Sequence, residues 1–257
     1  MRMRATGAAL VGALALTTLV VPAAQAGAAE VETKITKVVV NGGKDVVLGT
    51  RAEKTVTVSL TATHPDGIEQ GRLYLWHDDG TGKADNIVFA NEDWGTCTEI
   101  DDTTSICKQT ITFDPLLTPG RNEHAGTWRV SAWAMSPGGH DTRHETKTVR
   151  VQRASKLTVN AGPEPVTKGR KITTTGKLTR ANWDEIAYKG YADQPVKLQF
   201  RKAGTSTYTT VKTVRTNSTG NLSTTVTASK DGYWRWSFGG TTTTPAVNAT
   251  GDYVDVR

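Results

Sequence analysis

Along most of the chain, apolar and polar residues alternate with a period of two. Thr55 to Thr63 interleaves Thr and Ser with Val and Leu, and the pattern returns in Lys171 to Leu178, Val196 to Phe200, Thr207 to Val214 and Leu222 to Thr227. Successive side chains of a strand point to opposite faces, so this period predicts strands with one dry face and one wet face. Gly, Asp, Asn and Pro punctuate the runs at spacings of about 8–12 residues, the rhythm of a β-sandwich. No segment sustains a helical period. The expected fold class is all-β and antiparallel.

The order of signals occurs twice. Gly126-Thr127-Trp128-Arg129-Val130-Ser131 matches Gly232-Tyr233-Trp234-Arg235-Trp236-Ser237, and Val40-Asn41-x-Gly43 with Val47 matches Val159-Asn160-x-Gly162 with Val166. Each copy closes on a similar strand, Thr148 to Val151 and Tyr253 to Val256. The match predicts two tandem sandwich domains, residues 29–152 and 153–257, joined by the short polar link Gln152 to Ser155. Asn41 lies 85 residues before Gly126, whereas Asn160 lies 72 before Gly232, so the first copy carries 13 extra residues. The acidic stretch Asn91 to Cys107 is the natural place for that insertion.

Alternation in the repeated strand puts Trp128 and Val130, or Trp234, Trp236 and Phe238, on one face. That face is expected to fill the space between two sheets, with Arg129 and Arg235 turned outward. Residues from about Lys156 to Arg257 resemble a domain that recurs in exported actinobacterial proteins of undetermined function. The residues carrying this likeness are Leu157 to Asn160, Pro163 to Val166, Val196 to Arg201, Asp231 to Trp236 and Asp252 to Arg257. The resemblance implies an immunoglobulin or fibronectin-type sandwich and transfers no functional residues. For the first copy it holds only through the internal repeat.

Arg2 and Arg4 precede an apolar run from Ala5 to Val21; Pro22 and Ala24-Gln25-Ala26 follow. This is the layout of a cleaved export signal, expected over residues 1–28, and it predicts a secreted protein without a membrane anchor. In an oxidising compartment Cys97 and Cys107, with nine residues between them, are expected to form a disulfide.

Catalytic chemistry is harder to find. The sequence holds no nucleophile elbow, no His-Glu-x-x-His pair and no phosphate-cradling loop, so no enzyme activity and no cofactor is expected. Asp78, Asp79 and Asp85 lie in a Gly-containing loop with oxygen ligands suited to calcium, although ordinary hairpin chemistry accounts for the same residues. His140 and His144 with Asp141 and Glu145 form the densest His and carboxylate cluster, a candidate for zinc that is short of a full ligand set. Trp183, Tyr188 and Tyr191 fall in a long segment, Arg180 to Gln194, expected as a loop. Exposed, they would form a sugar-stacking platform; packed, they would plug the end of a core.

Charge divides unevenly. Residues 29–152 carry 13 Lys and Arg against 18 Asp and Glu, a net −5, whereas residues 153–257 carry 16 against 7, a net +9. Opposite signs on neighbouring domains favour their approach. Export argues against nucleic acid as a partner for the basic half. The leading expectation is a non-catalytic binding or structural protein whose second domain attaches to an anionic cell-wall polymer, another polysaccharide or an extracellular protein. Carbohydrate binding through the aromatic loop, calcium-dependent adhesion and a hydrolase with an unrecognised site are the alternatives. Oligomeric state is not legible.

Overall fold

The structure, a computed structural model, describes residues 32–257 apart from the side chains of Glu145 and Thr146. The expected export signal lies outside the described residues. The N-terminal part contains β1 (Lys34–Val40), β2 (Val46–Leu48), β3 (Lys54–Thr63), β4 (Gln70–Asp78), β5 (Ala84–Phe89), β6 (Thr96–Asp101), β7 (Thr104–Phe113), β8 (Gly126–Ser136) and β9 (Gly139–Arg153). They form two sheets, ordered β1-β3-β7-β6 and β2-β9-β8-β4-β5. The chain changes sheet between β3 and β4, between β5 and β6 and again between β7 and β8, which is the immunoglobulin-like arrangement.

The C-terminal part contains β10 (Ser155–Leu157), β11 (Asn160–Gly162), β12 (Lys171–Asn182), β13 (Ala187–Gly190), β14 (Pro195–Lys202), β15 (Thr209–Arg215), β16 (Asn221–Thr227), β17 (Gly232–Phe238), β18 (Val247–Asn248) and β19 (Asp252–Val254). One sheet is built around β12, flanked by β10 and β11 and by β13 and β16; the other runs β15-β14-β17, with β18 and β19 along β17. From β12 onward switching between sheets follows the order seen from β3 in the first sandwich, whereas β11, unlike β2, stays in the sheet of its neighbours. Trp128 and Trp234 occupy matching strands, but the upstream match is only approximate: Asn41–Gly43 forms a 3-10 turn where Asn160–Gly162 forms β11, and Val46 rather than the expected Val47 is the counterpart of Val166. Val46 pairs in parallel with Val151, and Val166 makes a parallel bridge to Val256.

Alternation explains the cores. In β3 Val56, Val58, Leu60 and Ala62 are buried while the intervening Thr and Ser face outward. Trp128 and Val130 of β8, and Trp234, Trp236 and Phe238 of β17, are buried between their sheets. The expected strand Thr207 to Val214 starts later, at Thr209, after a turn that Thr205 N closes onto Lys202 O and a cross-strand bond from Ala203 N to Asp231 O. Among the described residues no helix is long and apolar enough to cross a membrane.

The first sandwich has one strand without a counterpart among the described residues of the second. This is β6, at the edge beside β7, where Cys97 stands opposite Cys107 and the two form a disulfide. Cys107 is fully buried and rests on Gly71 of β4, where an added Cβ would meet Cys107 Cβ at 2.8 Å and Sγ at 2.9 Å. The bond therefore ties an edge hairpin into the core. Replacing both cysteines by serine is expected to lower stability by about 2–3 kcal/mol, the loop-closure value for so short a ring. Urea titration of the oxidised protein and the double variant reads it, and equal midpoints would refute it.

Candidate functional site

The segment expected as a loop from Arg180 to Gln194 is mostly hairpin. β12 continues through Asn182, and β13 folds back on it with Ala181 opposite Tyr188. The polar run Thr179-Arg180-Ala181-Asn182 has no amphipathic alternation to announce a strand; cross-strand pairing and the contact made by its tip hold it extended. At the tip, Trp183 is 2% exposed and belongs to the buried cluster of the first sandwich. Its Nε1–H donates to Gly49 O at 2.8 Å and its backbone N–H to Asn122 Oδ1 at 2.9 Å. Asn122 Nδ2 in turn donates to Asn182 Oδ1 at 2.8 Å and to Asp184.

No ring in this hairpin offers a free platform for sugar. Tyr188 packs against the first core with Lys156 Nζ 3.8 Å from its ring centre, and Arg180 covers Tyr191 at 3.7 Å. Tyr191 also meets Phe238 edge-on. Of the two arrangements considered for Trp183, Tyr188 and Tyr191 the sugar platform is not formed and the packed one is: the rings plug a junction between the two sandwiches. Around them Gln152 Nε2 donates to Thr241 O and Thr242 O, Arg153 N to Thr243 O, and Ser155 Oγ to Pro245 O. Burial, with Arg180 nearby, pushes Arg153 down to about 10. Among the described residues every ion pair joins groups of the same half. Hydrogen bonds and an inserted indole join the halves, rather than their opposite charges.

The three carboxylates considered for calcium do not converge. Asp78 accepts from Arg129 Nε at 2.6 Å and from Gly80 N at 2.7 Å, contacts that hold its carboxyl below the usual range. Asp79 closes a turn by accepting from Thr81 N and Oγ1. Asp85 lies across β4 and β5, 2.8 Å from His77 Nδ1 and 4.0 Å from His124 Nε2. Each oxygen set has a protein partner of its own, and no group of three His, Cys, Asp or Glu suited to a metal is present among the described residues. The zinc candidates separate too. His140 stacks on Trp133, Asp141 accepts from Ile35 N and Arg143, and His144 Nδ1 lies 3.4 Å from Ser131 Oγ. The Glu145 side chain lies outside the described residues.

A different arrangement stands on the outer face of β15-β14-β17. Alternation in β14 turns Lys197, Gln199 and Arg201 outward, and in β17 Tyr233, Arg235 and Ser237, while Val196, Leu198, Trp234, Trp236 and Phe238 are buried beneath. The pairing sets Gln199 opposite Arg235 and Arg201 opposite Tyr233. Arg235 donates through Nε to Gln199 Oε1 at 2.9 Å, and its guanidinium lies 3.8 Å from the ring centre of Tyr208. Arg201 lies 4.1 Å from Tyr233 and 5.3 Å from Tyr208. Tyr233 continues to Tyr253, 40% exposed, at 5.1 Å. Gly251 makes this stack possible, because a Cβ there would collide with the Tyr208 hydroxyl.

Rings beneath a guanidinium steady it through cation–π attraction of about 0.5–2 kcal/mol without neutralising it. Neither Arg201 nor Arg235 pairs with a carboxylate among the described residues; of the sixteen cations in this half, Lys189, Arg215 and Arg257 do. Asp231 and Asp255, whose charges reach Tyr253, are engaged by Val256 N and by Arg257. Shielding from water, then those two carboxylates, raises the phenol of Tyr253 above its ordinary value. The outward Arg235 was legible from alternation. Tyr208 was not, since it lies in a turn whose ring crosses two strands.

No family model and no curated protein matches the chain. Solved structures similar to it include the dimeric latent PorU of Porphyromonas gingivalis (12% identity, 89% of this chain and 20% of that one, TM-score 0.31). A titin Z1Z2 tandem (11% identity, 88% and 100% coverage, TM-score 0.30) and the D00-D0 domains of intimin (18%, 85% and 99%, TM-score 0.27) are also similar. Likeness at these levels says nothing of what the outer faces bind.

Proposed function

We propose that this chain is a secreted, non-catalytic binding protein whose second sandwich attaches to an anionic extracellular polymer through the outer face of β15-β14-β17. The observation that carries the reading is the pair Arg201 and Arg235, held on tyrosine rings and left without carboxylate partners among the described residues. A guanidinium offers forked N–H donors that match phosphate or carboxylate oxygens, and it sheds water more readily than an ammonium. Lys197 beside them and the net +9 of residues 153–257 extend the field. The junction at Trp183 supports the reading by fixing how the first sandwich is presented once the second is attached.

Retention on purified cell wall and on an immobilised glycerol-phosphate polymer tests this, with neutral dextran as the control. Binding to the anionic supports is expected to weaken steadily as salt rises, since the charges involved are only partly buried and are screened in the free protein. The double variant R201A/R235A is expected to lose about tenfold or more in affinity, two desolvated contacts at roughly 1 kcal/mol each. Retention indifferent to salt, or equal in wild type and variant, defeats the reading.

A further inference from the structure

An aromatic strip crosses the outer face of the sheet β9-β8-β4-β5 of the first sandwich, and the connection after β5 adds Trp94 to it. Phe89, 66% exposed, meets Tyr74 at 5.7 Å on the outer face of β4 and β5. Further along, Trp94, 42% exposed, meets Trp133 at 5.3 Å, and Trp133 stacks on His140. Arg72 stands between the two groups, its guanidinium 5.2 Å from the Trp94 ring and 5.5 Å from Trp133. Five rings from four strands and one connecting segment thus share a face.

Two clefts open on either side of Arg72 and Tyr74. One, of about 260 Å³, is lined by Phe89, Glu92, Asp93 and Gln109 besides those two. The other, of about 120 Å³, is lined by Ser131, Trp133, Thr142 and His144. Gln109 is buried and braced, accepting from Leu73 N at 2.7 Å and donating to Glu92 O at 2.6 Å, so it holds the floor of the larger cleft. Glu92 accepts from Thr110 N and Oγ1. Arg72 and Asp93 face the same cleft, yet Arg72 makes no ion pair among the described residues. The lining of this cleft therefore holds a donor and an acceptor together with the rings of Tyr74 and Phe89.

We infer that this face is a glycan-binding site that takes a neutral sugar chain. Pyranose rings present C–H faces that lie on aromatic rings and hydroxyls that both donate and accept, which is what the strip and the Arg72–Asp93 cleft supply together. A polyanion is disfavoured, because Glu92 and Asp93 border the cleft. The disulfide acquires a role here. Cys97 holds the start of β6 to β7, Gly95 N donates to Gly71 O at 2.8 Å, and Trp94 is thereby anchored over the sheet.

Affinity gel electrophoresis of the whole protein with soluble β-glucan, xylan and chitin oligosaccharide tests the inference, with tryptophan fluorescence as a second readout. At least one sugar is expected to retard the protein and shift its emission, unchanged from low to high salt. W94A and R72L, both at exposed positions, are each expected to weaken the effect about tenfold or more, W94Y less, and R201A/R235A not at all. The last arm separates this site from the anionic one. Retardation by none of the three sugars, retention in W94A equal to wild type, or loss of binding at high salt overturns the inference.

Discussion

Trp183→Ala is expected to cost about 3–5 kcal/mol, the range for removing a buried tryptophan, and to act on the sandwich to which Trp183 does not belong. The indole is fully enclosed within the cluster of the first sandwich although it sits on a hairpin of the second. Truncation would leave a void there and strip Gly49 O of its donor. Calorimetry is the natural readout. Wild type should melt in one transition, whereas the variant should show the first sandwich melting separately and earlier, because only the smaller apolar contacts of Ala181 and Tyr188 and the polar contacts at Gln152, Arg153 and Ser155 would remain. Trp183→Phe, which keeps most of the ring, should lose only the hydrogen bond and some volume. A variant that melts within about 1 kcal/mol of wild type in one transition would show that the inserted ring does not couple the halves.

Trp236→Ala is expected to be as damaging, about 3–5 kcal/mol, but confined to the second sandwich. Trp236 is fully buried, and its Nε1–H donates to Thr175 O at 3.0 Å. The ring fits only because Gly176 of β12 has no side chain; a Cβ there would collide with Thr158 O and stand 2.6 Å from Trp236 Cδ1. Gly176→Ala should therefore destabilise from the opposite direction, by about 1–3 kcal/mol of overpacking. Denaturant titration of both variants measures these losses. If either is neutral, the sheets are not closed around this indole.

What was legible in the sequence follows from local physics. Period-two alternation reads off burial directly, so Val56 to Ala62 and the inward Trp128, Trp234 and Trp236 could be placed without coordinates. Cysteine spacing was enough for the Cys97–Cys107 bond. Other features depend on which strands meet. Trp183, Tyr188 and Tyr191 looked like a loop because the hairpin that holds them is polar, and its stability comes from a partner sandwich. Asp78, Asp79 and Asp85 are close in sequence, but a strand, a turn and a neighbouring strand send them to Arg129, to Thr81 and to His77. The arginine–tyrosine face joins Arg201 to Tyr233 across β14 and β17 and brings Tyr208 from a turn, a combination that register alone creates. Trp94 gained significance only once the stapled hairpin set it beside Trp133.

The most direct test of where the molecule attaches is amide hydrogen exchange, with and without a soluble glycerol-phosphate polymer. Slowed exchange concentrated on β14, β17 and the turn around Tyr208, and absent in R201A/R235A, is the predicted result. Protection confined to the sheet around β12, or to the first sandwich, would contradict it.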